Sequence, residues 1–280
     1  MSPPERLLVV TTHSRLRSVR FFPAMMMATL QIRRQLASTE GLMRWASVVA
    51  GPTEFWTITV WRSPHAMQEF VRSDAHGAIM WRFAEWLSSF WLMRWRPGYR
   101  EVGSWSGVSM SRPEQEASPV EQGNASGDVL HTVLAGIPAL REAIGPDGVA
   151  TYDNVKTARL RRAQVEGAGG AVVRIAAPLH RLPLAYARLR GVRRRLRTHP
   201  ELLEAAVGFG RPGEVYLLTV WTDRSLAERL INSSWARNEA SRWEDGYWAL
   251  ECVPENEFGQ LDGRRLRTER RRRSPHAVFR

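Results

Sequence analysis

The sequence predicts an α+β fold made of two tandem βαββαβ units in one chain of 280 residues. Three observations predict it. The chain matches itself when shifted by 160 residues: Pro23 to Trp61 aligns with Pro183 to Trp221 without a gap, and 11 of the 39 pairs are identical. The densest match sets PTEFWTITVW, from Pro52, against PGEVYLLTVW, from Pro212, in each case a turn followed by an apolar run rich in strand formers. Both copies also place strand-like and helix-like segments in the same order.

Taken in order, the apolar runs LLVVTT at Leu7 and AVVRIA at Ala171 predict the first strands. Pro23 and Pro183 predict the starts of helices of about fifteen residues, because proline's missing amide costs nothing in a first turn. WASVVAGPTEFWTITVW and AAVGFGRPGEVYLLTVW predict two strands around a Gly/Pro turn. Ser63-Pro64 and Thr222-Asp223 predict the polar caps of a second helix. In the first copy Ser73 and Asp74 interrupt that helix and predict the cap of a further one running to about Phe90. Last strands are expected at Phe90 to Trp95 and at Tyr247 to Val253. This order is the ferredoxin-like unit, whose antiparallel sheet carries helices on one face and leaves the other open. Two units in one chain can cover each other.

The expected division is a first unit over 1–106, a linker with a short helix (VLHTVLAGIPALREAI) over 107–168, a second unit over 169–261, and a disordered basic tail over 262–280. The linker is rich in Ser, Gly, Pro, Glu and Gln, and the tail carries eight Arg with no apolar periodicity. The net charge of +12 comes from thirty-nine arginines and the single lysine Lys156. Six arginines fall between Arg188 and Arg197 on a predicted helix, where a solvated face explains them; no base-reading motif accompanies them, so no specific nucleic-acid partner is expected. No stretch reaches 18 apolar residues, and the chain reads as a soluble cytoplasmic protein without a transmembrane segment. Cys252 is the only cysteine, which excludes an intrachain disulfide and a cysteine-held metal cluster.

The candidate site centres on FVRSDAHGAIMWR, residues 70–82. With Ser73 as cap, His76 falls in a first helical turn, where the exposed amides and the helix dipole favour a neutral imidazole. Neutral imidazole ligates iron or accepts a proton. Met80 shares its face at helical spacing, and Gly77 lowers the local bulk so that a flat group can approach. Phe22, Met26, Trp56, Trp61 and Trp81 are candidates for the wall of a cavity between helix and sheet, and Arg72 and Arg82 for carboxylate partners at its mouth. His13 and His65 are weaker polar candidates. Each has a plainer role as well: a capping or core histidine, and Met and Trp stripes that simply form core.

An aromatic strand ending in Val-Trp (Phe55 to Trp61), a short polar cap with an Ala-Met-x-x-Phe helix (Ser63 to Phe70) and Ser-x-x-His (Ser73 to His76) resemble the dimeric α+β barrel superfamily. Within it they are similar to spheroidene-monooxygenase-like and antibiotic-biosynthesis-monooxygenase-like proteins. The resemblance covers about 5–105 well and 170–255 more weakly. Members are mostly homodimers, so it implies one barrel closed inside one chain, a pseudo-dimer. It also implies an oxygenase acting on an apolar small molecule, such as a polyene or polyketide of secondary metabolism, with haem held by His76. The alternatives are a cofactor-free oxygenase with His76 as general base, and a non-catalytic barrel that binds an apolar ligand. Ala236 and Arg237 stand where the first copy has His76 and Gly77, so any site is asymmetric.

Overall fold

The computed structural model describes residues 7–72, 83, 85–110, 167–259 and 261. The linker helix, the basic tail and residues 73–82 lie outside the described residues. The first half runs β1 (Leu8–Leu16), α1 (Phe22–Ala37), β2 (Leu42–Val49), β3 (Glu54–Trp61), α2 (Pro64–Arg72) and β4 (Leu87–Gly103). The second runs β5 (Gly169–Ala176), α3 (Leu182–Leu196), β6 (Leu202–Phe209), β7 (Glu214–Trp221), α4 (Arg224–Asn232), α5 (Ser234–Trp243) and β8 (Tyr247–Gly259). Proline sits in the first turn of both α1 and α3. The hydroxyl of Ser63 accepts from the amide of Ala66 at 3.2 Å, and the Asp223 carboxylate accepts from Ser225 at 2.9 Å, capping α2 and α4.

The eight strands close into an antiparallel barrel in the order β1-β3-β2-β6-β7-β5-β8-β4. Alternation along each strand sorts side chains to two sides. On β3, Trp56, Ile58 and Val60 belong to the barrel interior, whereas Phe55 and Trp61 pack toward the helices. The interior is where the open faces of the two units cover each other, and four tryptophans, Trp56, Trp91, Trp95 and Trp248, are fully buried there.

The two seams between the halves differ. β2 and β6 meet through the single register pair Val49 and Phe209, and glycine is required beside it because a Cβ on Gly208 would stand 2.4 Å from the Val49 carbonyl oxygen. β4 and β8 instead pair from Trp91 opposite Gly259 to Gly103 opposite Trp248. Each of these tryptophans donates its indole N–H across that seam, Trp91 to Glu257 at 3.0 Å and Trp248 to Glu101 at 2.7 Å. This long pairing corrects two expectations. The last strands extend well past Trp95 and Val253, and Leu87 to Phe90 are strand rather than helix, because β4 pairs with β1 from Leu87 onward.

Both long strands end on a glycine with positive φ, Gly103 at 75° and Gly259 at 78°, a conformation that costs a side-chain-bearing residue energy. The turn lets Trp105 and Leu261, each 3% exposed, fold back onto the interior cluster at opposite ends of the barrel. Among the described residues, no helix is long and apolar enough to cross a membrane.

Candidate functional site

The first-half candidates separate onto two sides of the sheet. Phe22 and Met26, half-buried on α1, pack with Leu16, Phe55 and Phe90. Trp61 packs with Met67 and Phe70 of α2, its ring centroid 5.3 Å from that of Phe70. Ile32 and Leu92 touch both groups, so one continuous apolar layer lies between the sheet and its helices. Trp56 is not part of it. The period-2 strand carries Trp56 to the opposite face from Trp61, which corrects the expectation that both line one cavity. His76, Gly77, Met80, Trp81 and Arg82 lie outside the described residues, and Arg72 is described only as the last residue of α2.

His65 does not reach the layer: its side chain is 77% exposed beside Glu69, one helical turn on. His13 is fully buried but faces the barrel interior, where its ring lies 4.6 Å from that of Trp56 and its Nε2 is 3.5 Å from Glu54 Oε1. The Trp56 indole N–H donates to the same carboxylate oxygen at 3.0 Å. Burial alone would raise the pKa of Glu54, but contact with His13 and Trp56 and the positive charge of His13 and Arg15 hold it down at about 2. At the other end of the barrel Arg174, Glu214 and Tyr216 occupy the equivalent places, since His13 pairs with Trp56 in register as Arg174 does with Tyr216. Arg174 donates to Glu214 at 2.8 and 3.1 Å, and the Tyr216 hydroxyl donates to it at 2.9 Å.

The helix-facing layer of the second half is closed by charge. Arg188 on α3 donates through Nε to both oxygens of the fully buried Glu239 on α5, at 2.7 and 2.8 Å, and the Trp243 indole adds 2.8 Å to the same group. Arg224 at the start of α4 pairs with the buried Glu251 of β8. Thus Arg188 is a structural cation rather than part of a solvated face, as is Arg193, which donates to the Ala205 carbonyl; Arg190, Arg194, Arg195 and Arg197 remain exposed. A shift of 160 residues puts Ala28, Ile79 and Phe83 at the places of Arg188, Glu239 and Trp243, and Pro64 at that of Arg224.

The place equivalent to His76 is instructive. Ala236 is fully buried in the helix-to-sheet cluster, and its amide donates to the Ser233 cap at 3.1 Å. Sequence reasoning missed Arg94 and undervalued Glu54. Arg94 had a signal in FWLMRW: it shares the strand parity of Phe90 and Leu92, which face the apolar layer. Among the described residues no group of three or more His, Cys, Asp or Glu side chains could hold a metal ion.

No protein-family model matches the chain, and no curated protein matches it significantly. Solved structures do overlay. An anthrone oxidase-like protein is 14% identical with a TM-score of 0.32, covering 92% of this chain and 95% of that one. Provisionally named monooxygenases from Lactobacillus acidophilus (6% identical, TM-score 0.33, covering 91% and 97%) and Fusobacterium nucleatum (7% identical, TM-score 0.33, covering 91% and 94%) are similar in the same way. Likeness at this level carries no argument about activity. The strand order and pairing of the chain itself give its fold: a closed eight-stranded antiparallel barrel made of two ferredoxin-like units closed on each other inside one chain.

Proposed function

We propose that the chain is a monooxygenase-like protein that uses haem to oxidise an apolar small molecule of polyene or polyketide type, and that its site is the helix-facing layer of the first half. One observation carries the reading: the second half closes this layer with the Arg188–Glu239–Trp243 and Arg224–Glu251 groups, whereas the first half has Ala28, Ile79, Phe83 and Pro64 at those places. A layer with apolar residues at those places suits an apolar guest.

The donors fit haem in kind. One imidazole, His76, would hold the haem iron, in a sequence whose lone cysteine, Cys252, is buried and faces the barrel interior instead. Gly77, Met80, Arg72 and Arg82 would help hold the group, and Phe22, Met26, Trp61 and Trp81 would bind the substrate. Bound haem supplies oxygen activation; the chain's own part is to orient an apolar substrate and exclude water. Ala236, which a shift of 160 residues sets against His76, is fully buried, so the fold tolerates alanine there in the second half.

The test is the absorption spectrum of the protein with and without added haemin, for wild type and His76→Ala. A Soret band in the wild type that weakens or shifts in the variant, with thermal stability kept, supports ligation. No Soret band, but substrate-dependent oxygen uptake lost in His76→Ala, transfers the role of His76 to proton abstraction. Unfolding of the variant removes the site assignment.

A further inference from the structure

Building on the first-half layer as the ligand site, we propose that Arg94 is a recognition residue that binds the carboxylate of an otherwise apolar ligand. Arg94 lies on β4 opposite Val10 of β1, which is itself opposite Thr59 of β3. Val10 packs with Trp61, Met67 and Phe70, and the Trp61 indole donates to the Thr59 hydroxyl at 2.8 Å, so this row faces the helices. The second half has the same row: Glu251, Ala171 and Thr219, with the Trp221 indole donating to Thr219 at 2.9 Å.

The rows differ in how their charge is met. Glu251 is neutralised by Arg224, reaching in from the first turn of α4. Arg94 has Pro64 at the corresponding helix start, and its neighbour across β8 is the neutral Asn256. Its Nε is sealed from solvent with no hydrogen-bond acceptor, and among the described residues no carboxylate pairs with it. Burial holds its pKa below the ordinary arginine value. A half-buried cation with no acid partner among the described residues is costly to the folded chain, and an incoming anion lowers that cost. The planar guanidinium matches a carboxylate with two parallel N–H donors. Apolar walls with one such fork select an apolar molecule that ends in a carboxylate, whether a substrate acid or a propionate of the porphyrin.

Two probe pairs separate these sources: 11-(dansylamino)undecanoic acid with its methyl ester, and haemin with its dimethyl ester. Each is titrated by fluorescence or absorbance against the full-length wild type, Arg94→Leu and Arg94→Lys. The expected result is that in at least one pair the acid binds wild type about tenfold or more tighter than its ester. Arg94→Leu should erase that preference while leaving ester affinity unchanged, and Arg94→Lys should keep part of it. The thermal midpoint of Arg94→Leu should stay level or rise, since a half-buried charge with no acid partner among the described residues has been removed. Discrimination in the dansyl pair assigns the carboxylate to substrate, and in the haemin pair to the cofactor. Should haemin fail to bind while the dansyl acid is still discriminated, the haem reading falls and Arg94 recognition stands. Equal acid and ester affinities in wild type, an unchanged preference in Arg94→Leu, no binding of any probe, or a fall of several degrees in its midpoint would overturn the proposal.

Discussion

Replacing Glu54 by Gln removes one buried charge and keeps an acceptor for the Trp56 indole. The wild-type carboxyl titrates at about 2 in the folded protein against 4.5 for an unperturbed group, a gap worth about 3 kcal/mol in favour of the folded state. The Glu54 side chain is 19% exposed, so solvent screens little of it. Because the folded pKa is depressed, this stabilisation is complete above about pH 4.5 and is lost as pH falls through about 2. Urea unfolding at a series of pH values should therefore show the wild type about 3 kcal/mol more stable than Glu54→Gln at pH 7, with the gap narrowing below pH 4.5 and closing near pH 2. In a thermal melt at pH 7 the same gap is roughly 6 to 12 °C for a chain of this size. A gap that stays constant from pH 7 to pH 2, or no gap at pH 7, would refute the stabilisation of the buried Glu54 carboxylate by its neighbours.

Two further outcomes test the barrel. Trp105→Ala removes a 3%-exposed ring whose centroid lies 4.9 Å from Trp248 and 5.9 Å from Tyr216, and should cost about 3 to 5 kcal/mol in urea unfolding; a loss below about 1 kcal/mol would mean that the ring does not close that end. Residues 1–110 produced alone expose the interior face carrying Val9, Ile58, Trp91 and Trp95, so sedimentation should find dimers or larger species, and a well-behaved monomer would show that the second half is not needed to cover it.

Local pattern was enough for the elements. The alternation in EFWTITVW, the prolines of the first helical turns and the Ser63 cap each act within a few residues, and each element forms where those signals place it. Strand parity was equally readable in principle. Phe55 and Trp61 are an even number of positions apart and Trp56 an odd number from Trp61, so one cavity could not contain both tryptophans from a single strand. The run Leu87 to Phe90 was ambiguous, since its apolar residues satisfy helical and strand spacing alike; pairing with β1 decided it.

The sequence by itself determined the two βαββαβ units, their repeated order and the asymmetry at His76 and Ala236, because those depend on residues near one another in the chain or on direct comparison of the copies. Only the tertiary structure decided how the units close: one register pair at β2 and β6, a long ladder at β4 and β8, and tryptophans donating to glutamates in the opposite half. It alone put Glu251 against Arg224 and left Arg94 without an acid among the described residues. Charge pairing across 27 residues, or an indole-to-carboxylate hydrogen bond across the 166 from Trp91 to Glu257, depends on which strands lie side by side, and no periodicity along the chain carries that information.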